Sequence, residues 1–333
     1  MNSPTNDDWK RLYEAAAQFK GLTPWTWMGD HDLFAVESPE DSEMGYCTVM
    51  GSGGMEFGLA VFLGDQGLDS YRRLMAGELS PESAEMGAMP RSLSVLFVDR
   101  QFLQRRDHET IRSLGLRFRG RNNWPLFRSQ LPGYAPWYLS QGEAIFLASA
   151  LQSAVEVSRA VADGSVDLAE GPARGQVYML RTGAGELKRT WEALPAPSPA
   201  RATPKPDVSR LQRLKARAKS LEGPLAVDWF LLPAMIAGET ERPYFPLAFV
   251  AMRTDGFVLG IEALKPWATD EERQEALVRL LEKAAVVPSG IVVPGKEGYR
   301  LAQGVGDALG CRVNVRQVPG LDSFKQEMMG FLR

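Results

Sequence analysis

The chain has 333 residues, of which 44% are hydrophobic and 24% are charged, with 38 Lys and Arg against 41 Asp and Glu. This composition excludes a disordered chain, and the formal net charge of −3 gives no global reason to expect nucleic acid or an anionic membrane as the partner. At ~100–200 residues per domain, the length predicts two domains.

The amino-terminal region and the cysteines predict a cytoplasmic protein. Residues 1–8 are polar and acidic, without the basic start and apolar core of a signal peptide. The most apolar stretches, 144–151 and 230–237, are shorter than the ~18 residues that a membrane span requires. Cys47 and Cys311 are far apart in the sequence, so we expect reduced thiols and no disulfide. We therefore expect no membrane partner.

A proline-rich segment divides the chain near residue 200. Five prolines fall within residues 194–206, and each removes an amide donor and favours an extended backbone. We therefore predict a domain over 1–193, a semi-rigid linker over 194–206 and a second domain over 207–333.

The first half predicts an α+β domain with an antiparallel sheet. An amphipathic helix comes first, because apolar residues from Trp9 to Phe19 recur at spacings of three and four. Glycine- and proline-containing turns then separate short apolar runs, which indicates a meander of strands. In chain order, the later predictions are strands at 33–36, 46–50 and 57–63, a helix at 68–75, a strand at 93–98, helices at 107–114 and 140–162, and a hairpin of 177–181 with 187–191.

The second half predicts an α/β domain with the element order β-β-β-α-β-α-β-α. A helix over 208–221 precedes it, and Asp255-Gly256 between two apolar runs indicates a hairpin. The predicted elements are strands at 225–232, 247–253 and 257–263, a helix at 269–285, a strand at 291–293, a helix at 299–309, a strand at 312–315 and a helix at 322–332.

Motifs for nucleotide binding and nucleophilic catalysis are missing. The glycines at 51–54 are not followed by lysine, and the loop at 295–298 lacks the hydroxyl residue of a phosphate-binding loop. His31 and His108 are the only histidines, and the sequence has no Gly-x-Ser-x-Gly motif. We therefore expect no cofactor, and an enzyme is not the favoured interpretation.

Two aspartates form a weak candidate for a metal site. If the backbone is extended, Asp30 and Asp32 project to one face and offer two carboxylates to a divalent cation. Their spacing matches no calcium loop, so a solvated strand edge or a turn cap is the favoured interpretation.

Tryptophans in turn-rich sequence are candidates for ligand binding. Trp25, Trp27, Trp124 and Trp137 all lie near prolines, outside the predicted strands and helices. Aromatic side chains in loops line ligand grooves, but they more often seal a loop onto the core. The favoured interpretation is the second.

Charge is unevenly distributed along the first half. Residues 1–70 hold twelve acids and three bases, whereas residues 100–128 hold eight arginines and two acids. Arginines such as Arg105 and Arg106, with aromatic residues between them, are suited to binding phosphates and stacking on bases. The favoured interpretation is that the basic segment folds against the acidic amino-terminal segment of its own domain, and binding of a polyanion is the alternative.

Two resemblances add to these predictions. The first half, through Pro24-Trp25-Thr26-Trp27 and Pro132-Gly133-Tyr134-Ala135-Pro136-Trp137, resembles an uncharacterised bacterial family with a domain of unknown function. The second half is similar in element order to the ribonuclease H-like fold. That resemblance implies metal-binding carboxylates at Asp228, at Glu272 or Glu275, and at Asp322, but the fourth strand ends in Val293-Pro294-Gly295-Lys296 without an acid.

The sequence thus favours a non-catalytic binding or interaction protein whose partner it does not identify; a protein is one candidate, and nucleic acid is not favoured. The alternative is a metal-dependent nucleic-acid-processing enzyme, or a nucleic-acid-binding protein, acting through the second domain.

Overall fold

The computed structural model describes residues 2–78, 91–183, 186–199, 201–237 and 241–331. The described residues of 2–131 and 136–198 form one compact unit, and those of 132–135 and 199–331 form a second. We call them the amino-terminal unit and the carboxy-terminal unit. The change from one to the other at residue 199 falls within the proline-rich segment.

The amino-terminal unit is a mixed α+β structure around one seven-stranded sheet. Along the sheet the strand order is β5-β4-β3-β2-β1-β6-β7. Short 3-10 helices occur at Pro24–Thr26 and Arg100–Phe102. The elements are α1 (Asn6–Leu22), β1 (Phe34–Glu37), β2 (Met44–Met50), β3 (Gly58–Leu63), α2 (Gly64–Met75), β4 (Ser92–Val98), α3 (Arg105–Ser113), β5 (Trp124–Gln130), α4 (Gln141–Ala162), α5 (Glu170–Ala173), β6 (Gln176–Gly183) and β7 (Glu186–Ala193).

One strand pair departs from the predicted antiparallel sheet. β1 and β6 are parallel, with Phe34 opposite Tyr178, whereas the other neighbouring pairs of this sheet are antiparallel. A parallel neighbour requires a long crossover connection, and the chain between β1 and β6 includes the helix α4. β6 and β7 pair as the predicted hairpin, whose central Ala184 and Gly185 lie outside the described residues.

A further strand, β5, was not predicted, because Pro125 made its sequence look like a turn. β5 is at the end of the strand order, so it is an edge strand, and Pro125 lies opposite Phe97. Proline is tolerated on an edge strand because one side of that strand needs no amide donor. Trp124 therefore belongs to a strand and not to a loop.

Different helices pack on the two faces of this sheet. α1 and α4 cover one face, where Leu12, Phe19 and Leu147 pack with strand residues such as Phe34. α2 covers the other face, where Leu68 packs with residues such as Tyr46. Alternating strand residues thus supply both cores, which is why these strands have few exposed positions.

α4 corrects the expectation that no segment has the composition of a membrane span. The helix has 22 residues, and its best window has a mean hydropathy of 1.3. Within the protein, however, 61% of that window is buried. Its apolar side chains contact α1 and the sheet, as expected for a core helix, and this composition is weak evidence for a membrane span.

Close contact between two strands predicts a destabilising substitution at Gly58. A Cβ atom at this position would clash with the carbonyl oxygen of Val95 on β4. We therefore expect Gly58→Ala to lower the free energy of unfolding by about 1–3 kcal/mol, the usual effect of overpacking. Urea unfolding measures it, and Gly53→Ala is the matched control because a Cβ there has no neighbour within 4 Å. Equal stability of the two variants would contradict the expectation.

The carboxy-terminal unit contains a five-stranded sheet with the order β11-β10-β9-β13-β14 and a two-stranded sheet of β8 and β12. β10 is antiparallel to both β9 and β11, and β13 is parallel to both β9 and β14. The elements are α6 (Val208–Arg217), β8 (Lys219–Leu221), β9 (Leu225–Leu231), β10 (Leu247–Arg253), β11 (Val258–Leu264), α7 (Asp270–Ala284), β12 (Val286–Pro288), β13 (Gly290–Val293), α8 (Lys296–Leu309), β14 (Arg312–Val315) and α9 (Pro319–Phe331).

The small sheet corrects the prediction of one helix over 208–221. α6 ends at Arg217, and the backbone is extended from Ala218 onward. Residues 219–221 then pair in parallel with residues 286–288. This pairing joins segments more than 60 positions apart in the printed sequence, and the local apolar spacing of α6 carried no signal for it.

Strand alternation in β9 separates the residues of the carboxy-terminal unit into two cores. Leu225 and Val227 pack with α6, α7 and α8 on one face of the sheet. Ala226 packs with α9 on the opposite face. Asp228 shares the face of Ala226, because residues two apart on a strand project to the same side.

Candidate arginine cleft

A cleft of about 910 Å³ lies in the amino-terminal unit beside the helix α3. We call it the arginine cleft. A second cleft of about 590 Å³ shares Arg100 and His108 with it, so the two adjoin. The lining of the arginine cleft combines arginines and apolar residues with one histidine and a single carboxylate: Arg100, Arg105, His108, Glu109, Ile111, Arg112, Gly115, Leu116, Arg117, Phe118, Arg119 and Trp124.

Local sequence explains how α3 presents this lining. Asp107 accepts a hydrogen bond from the Gln104 amide at 2.8 Å, which caps the start of the helix. Arg105, His108 and Arg112 follow at spacings of three and four, so they project to one side. The chain then reverses at Gly115, whose φ of +68° favours glycine, and returns toward β5.

A buried ion pair fixes α3 to the edge strand. Arg128 of β5 donates to both carboxylate oxygens of Asp107, at 2.9 and 2.8 Å, and also to the Phe127 carbonyl at 2.7 Å. The side chains of Arg128 and Asp107 are only 9% and 11% exposed. The Tyr138 ring lies against the guanidinium of Arg128. Arg106 also lies over this ring, with its guanidinium carbon 4.5 Å from the ring centre.

Most arginines of the cleft have no acidic partner within the part of the chain that the structure describes. Arg105 pairs with Glu109 at 2.7 Å, although its side chain is 92% exposed. The four others that line the cleft are exposed and make no ion pair with a described residue: Arg100, Arg112, Arg117 and Arg119. The cleft therefore carries an excess of positive charge.

Aromatic side chains form the apolar floor of the cleft. Trp124 and Phe118 are partly buried, with ring centres 5.7 Å apart. Arg100 lies over the indole of Trp124, with its guanidinium carbon 5.8 Å from the ring centre. The His108 ring meets the same indole edge-on at 6.1 Å. The Arg100 guanidinium lies over an aromatic ring and is surrounded by other arginines. This arrangement is suited to ligands that are both aromatic and anionic.

The basic segment packs on the amino-terminal helix α1, with the Phe118 ring centre 5.8 Å from that of Tyr13, but no described acid of residues 1–70 forms an ion pair with it. Where described acids of that segment form ion pairs, their partners lie outside residues 100–128. Glu43 pairs with Arg91, and Glu37 pairs with Arg181 at 3.4 Å. Asp7 and Asp69 pair with the nearby cations Lys10 and Arg72. Among the described residues, ion pairs therefore do not join the acidic segment to the basic one.

The tryptophans singled out from the sequence do not form one site. Trp25 packs into the core, 5.1 Å from the Phe57 ring. Trp27 is 40% exposed and donates its indole N–H to the Ser158 carbonyl at 3.1 Å. Trp137 pairs its backbone with Ser129 and is half-buried. Trp124 is the one of the four that lines the arginine cleft.

Asp30 and Asp32 are placed at a turn before β1. The Asp32 carboxylate accepts a hydrogen bond from the Gly29 amide at 2.8 Å, and the Asp30 carbonyl accepts one from the Tyr71 hydroxyl at 3.0 Å. A turn cap is the role that these contacts indicate. Among the described residues, no group of three or more His, Cys, Asp and Glu side chains could hold a metal ion.

The carboxylates suggested for the carboxy-terminal unit are divided between two faces of its sheet. Asp228 forms a buried ion pair with Lys325 of α9, and burial raises the pKa of its carboxyl, to which Asp322 of the same helix adds. Glu272 and Glu275 belong to α7, which packs on the opposite face. Glu272 caps that helix through the Thr269 amide, and Glu275 pairs with Arg210 at 2.6 Å.

Of the residues singled out from the sequence, Arg105 and Trp124 line the cleft, whereas Arg106 lies over Tyr138 outside its lining. Other lining residues were left out of the candidate site. Arg112, Arg117, Arg119, His108 and Phe118 all line the cleft. One signal was present, since the spacing of 105, 108 and 112 places three basic side chains on one side of a helix. The return loop 114–123 carried no periodic signal that could place its arginines.

Comparisons with known proteins give family matches without an assigned activity. A family model described as a domain of unknown function (DUF7309) matches residues 9–179, a little over half of the chain. A second one, also described as a domain of unknown function (DUF6930), matches residues 210–329. No curated protein and no solved structure matches the chain.

Proposed function

The chain belongs to the family of the domain of unknown function DUF7309, and because this family brings no activity with it, we propose a function from the arginine cleft. The predicted match of the first half to a domain of unknown function is confirmed. We propose that the protein is a non-catalytic binding protein whose amino-terminal unit binds a phosphate-bearing polyanion.

One observation carries this proposal, namely the four exposed arginines of the cleft without an acidic partner among the described residues. Their guanidinium groups present several N–H donors each in a geometry that matches phosphate oxygens. A cleft that concentrates one sign of charge also raises the local concentration of counter-ions. The net charge of −3 does not oppose this function, because the field of the cleft is local.

The positions of two groups with raised pKa values support binding rather than catalysis. Burial raises the pKa of the Cys47 thiol and of the Asp228 carboxyl. Neither group lines the arginine cleft, and inside the cleft the hydrogen bond to Glu109 raises the pKa of Arg105, which keeps that guanidinium charged. The cleft offers cations and an apolar floor, which are means of holding a ligand.

Salt-dependent binding of inorganic polyphosphate tests this function. We expect Arg112→Gln and Arg117→Gln each to weaken the affinity about tenfold at low salt, because a charge-assisted hydrogen bond contributes ~1.5 kcal/mol. The slope of log affinity against log salt concentration should fall by about 0.7 for each lost phosphate contact. Fluorescence anisotropy with labelled polyphosphate measures both quantities.

Arg159→Gln is the matched control for these variants. Arg159 is an exposed arginine of α4 that does not line the cleft, and its loss changes the net charge by the same amount. We expect this variant to bind like the wild-type protein. Equal weakening by all three substitutions, or no binding of polyphosphate at low salt, would contradict the proposed function.

For the carboxy-terminal unit we propose a ribonuclease H-like fold that serves binding rather than catalysis. The strand order β11-β10-β9-β13-β14, with β10 antiparallel to β9, supports this fold. The ion pair of Asp228 with Lys325 and the position of Glu272 and Glu275 on the other face argue against the metal-dependent alternative. Cleavage of an oligonucleotide with Mg²⁺ that is lost in Asp228→Asn would overturn the non-catalytic assignment.

The cytoplasmic location and the bacterial origin of the family stay predictions. Two free thiols, Cys47 and Cys311, support a reducing compartment.

A further inference from the structure

The arginine cleft also indicates which polyanion it receives. Resting on the proposed function, we propose that the ligand is a single-stranded nucleic acid, whose phosphates contact the cleft arginines while a base stacks on the Arg100 guanidinium. Three features carry this inference: the second cleft that adjoins the arginine cleft, the concave apolar floor, and the position of Arg100 over Trp124.

The distribution of positive charge favours a polymeric ligand with repeated phosphates over a small phosphorylated molecule. The arginine cleft and the second cleft adjoin at Arg100 and His108, and the second cleft adds Arg121, whose side chain is 92% exposed. Cations are therefore spread from the loop after α3 across to Arg121 and do not converge on one point. A ligand with phosphates at regular intervals is needed to use them together.

The shape and the floor of the cleft favour a single strand over a duplex. Ile111, Leu116, Phe118 and Trp124 give the concave surface apolar area. The bases of a duplex are stacked on one another, so their faces cannot reach such a floor unless they are extruded. Unpaired bases have free faces, and proteins commonly stack them on aromatic rings or arginine planes.

Arg100 supplies the plane for stacking. Its guanidinium lies over Trp124 on one side, and the residue is exposed and has no acidic partner among the described residues. A base on the opposite side would complete a stack of base, guanidinium and indole. The same group carries a charge for the adjacent phosphate, so base and backbone are bound together.

The test compares probes that have the same backbone and differ in their bases. We expect labelled oligothymidylate to bind the full-length protein more tightly than an abasic oligomer of equal length, by about fivefold or more for one base stack. We expect duplex DNA of equal length to bind more weakly than the single strand. Inorganic polyphosphate reports on the phosphate contacts alone.

Arg100→Lys separates stacking from charge, because lysine keeps the positive charge and lacks the planar group. We expect this variant to lose the advantage of oligothymidylate over the abasic oligomer and to keep its affinity for polyphosphate. Arg159→Lys is the matched control, since Arg159 is an exposed arginine of α4 that lines neither cleft. It should leave the preference unchanged.

The outcomes distinguish this inference from the proposed function. Equal binding of oligothymidylate, abasic oligomer and polyphosphate would overturn the single-strand inference and leave polyanion binding in place. Tighter binding of the duplex, or an unchanged base preference in Arg100→Lys, would also overturn it. Failure of every probe to bind at low salt would overturn the proposed function itself.

Discussion

Asp107→Ala is expected to lower the free energy of unfolding by about 3–5 kcal/mol, the usual effect of removing one member of a buried ion pair. The variant leaves the Arg128 guanidinium, 9% exposed, with only the Phe127 carbonyl and the Tyr138 ring as neighbours in the contacts described above. It also removes the cap of α3 at the Gln104 amide. Urea unfolding of the purified variant and the wild-type protein measures the difference.

A double variant identifies the cause of this loss. Asp107→Ala/Arg128→Met removes both charges and keeps a long apolar side chain in the space of Arg128, so we expect it to be more stable than Asp107→Ala alone. Arg105→Ala is a control on the same helix, and we expect no measurable change, because Arg105 is 92% exposed. A double variant less stable than the single one would contradict the explanation by an unpaired buried charge.

The Asp107–Arg128 pair links stability to the proposed binding site. It holds α3 against β5, and these two elements supply Arg105, Arg112 and Trp124 to the cleft. Preorganised side chains lose less entropy when a ligand binds, so a rigid α3 favours affinity. Within residues 100–128, Arg128 thus holds α3 in place, and other arginines line the cleft.

Periodic elements could be predicted from the sequence because their signal is local. The apolar spacing of α1 and the Asp255-Gly256 turn between β10 and β11 both led to elements of the correct type. In the second half, local patterns also led to α7 and β13, but they missed β8 and β12. For such elements the spacing of side chains alone determines which face is buried.

Elements that depend on distant partners could not be predicted. β5 pairs along its length with β4 despite Pro125, and β8 exists only through its pairing with β12. The parallel contact of β1 with β6 likewise joins segments separated by most of the amino-terminal unit. In each case the stabilising hydrogen bonds come from residues whose proximity the local pattern does not encode.

The candidate site was predictable in composition but not in its pairing. Counting charges identified the arginines of 100–128, whereas the choice between internal neutralisation and an open site required distances. Asp107 lies within the basic segment and pairs with Arg128, and the more distant acids Glu37 and Glu43 pair elsewhere. Ion pairs form within about 4 Å, so a charge balance summed over a segment does not determine them.

Lys325→Met is expected to destabilise the protein in a pH-dependent manner. Burial raises the pKa of the Asp228 carboxyl above its ordinary value of 3.8, and the Lys325 ammonium partly opposes this by lowering it. Without Lys325 the pKa of Asp228 rises further, and the ionised carboxylate is buried without its cation. Near neutral pH we expect a loss of about 2–3 kcal/mol, less than for a fully buried pair because Lys325 is 25% exposed.

The sign of the pH effect follows from proton binding. A carboxyl whose pKa is higher in the folded state binds more protons there than in the unfolded chain, so stability falls as pH rises above 3.8 through the raised pKa. The deficit of Lys325→Met against the wild-type protein should therefore shrink as the pH is lowered toward 3.8. Adding Asp228→Asn to both proteins removes the titrating group, and the difference between them should then not vary with pH. A deficit of constant size in the presence of Asp228 would instead indicate lost packing of the Lys325 side chain on Phe230, whose ring centre is 5.8 Å from the ammonium nitrogen.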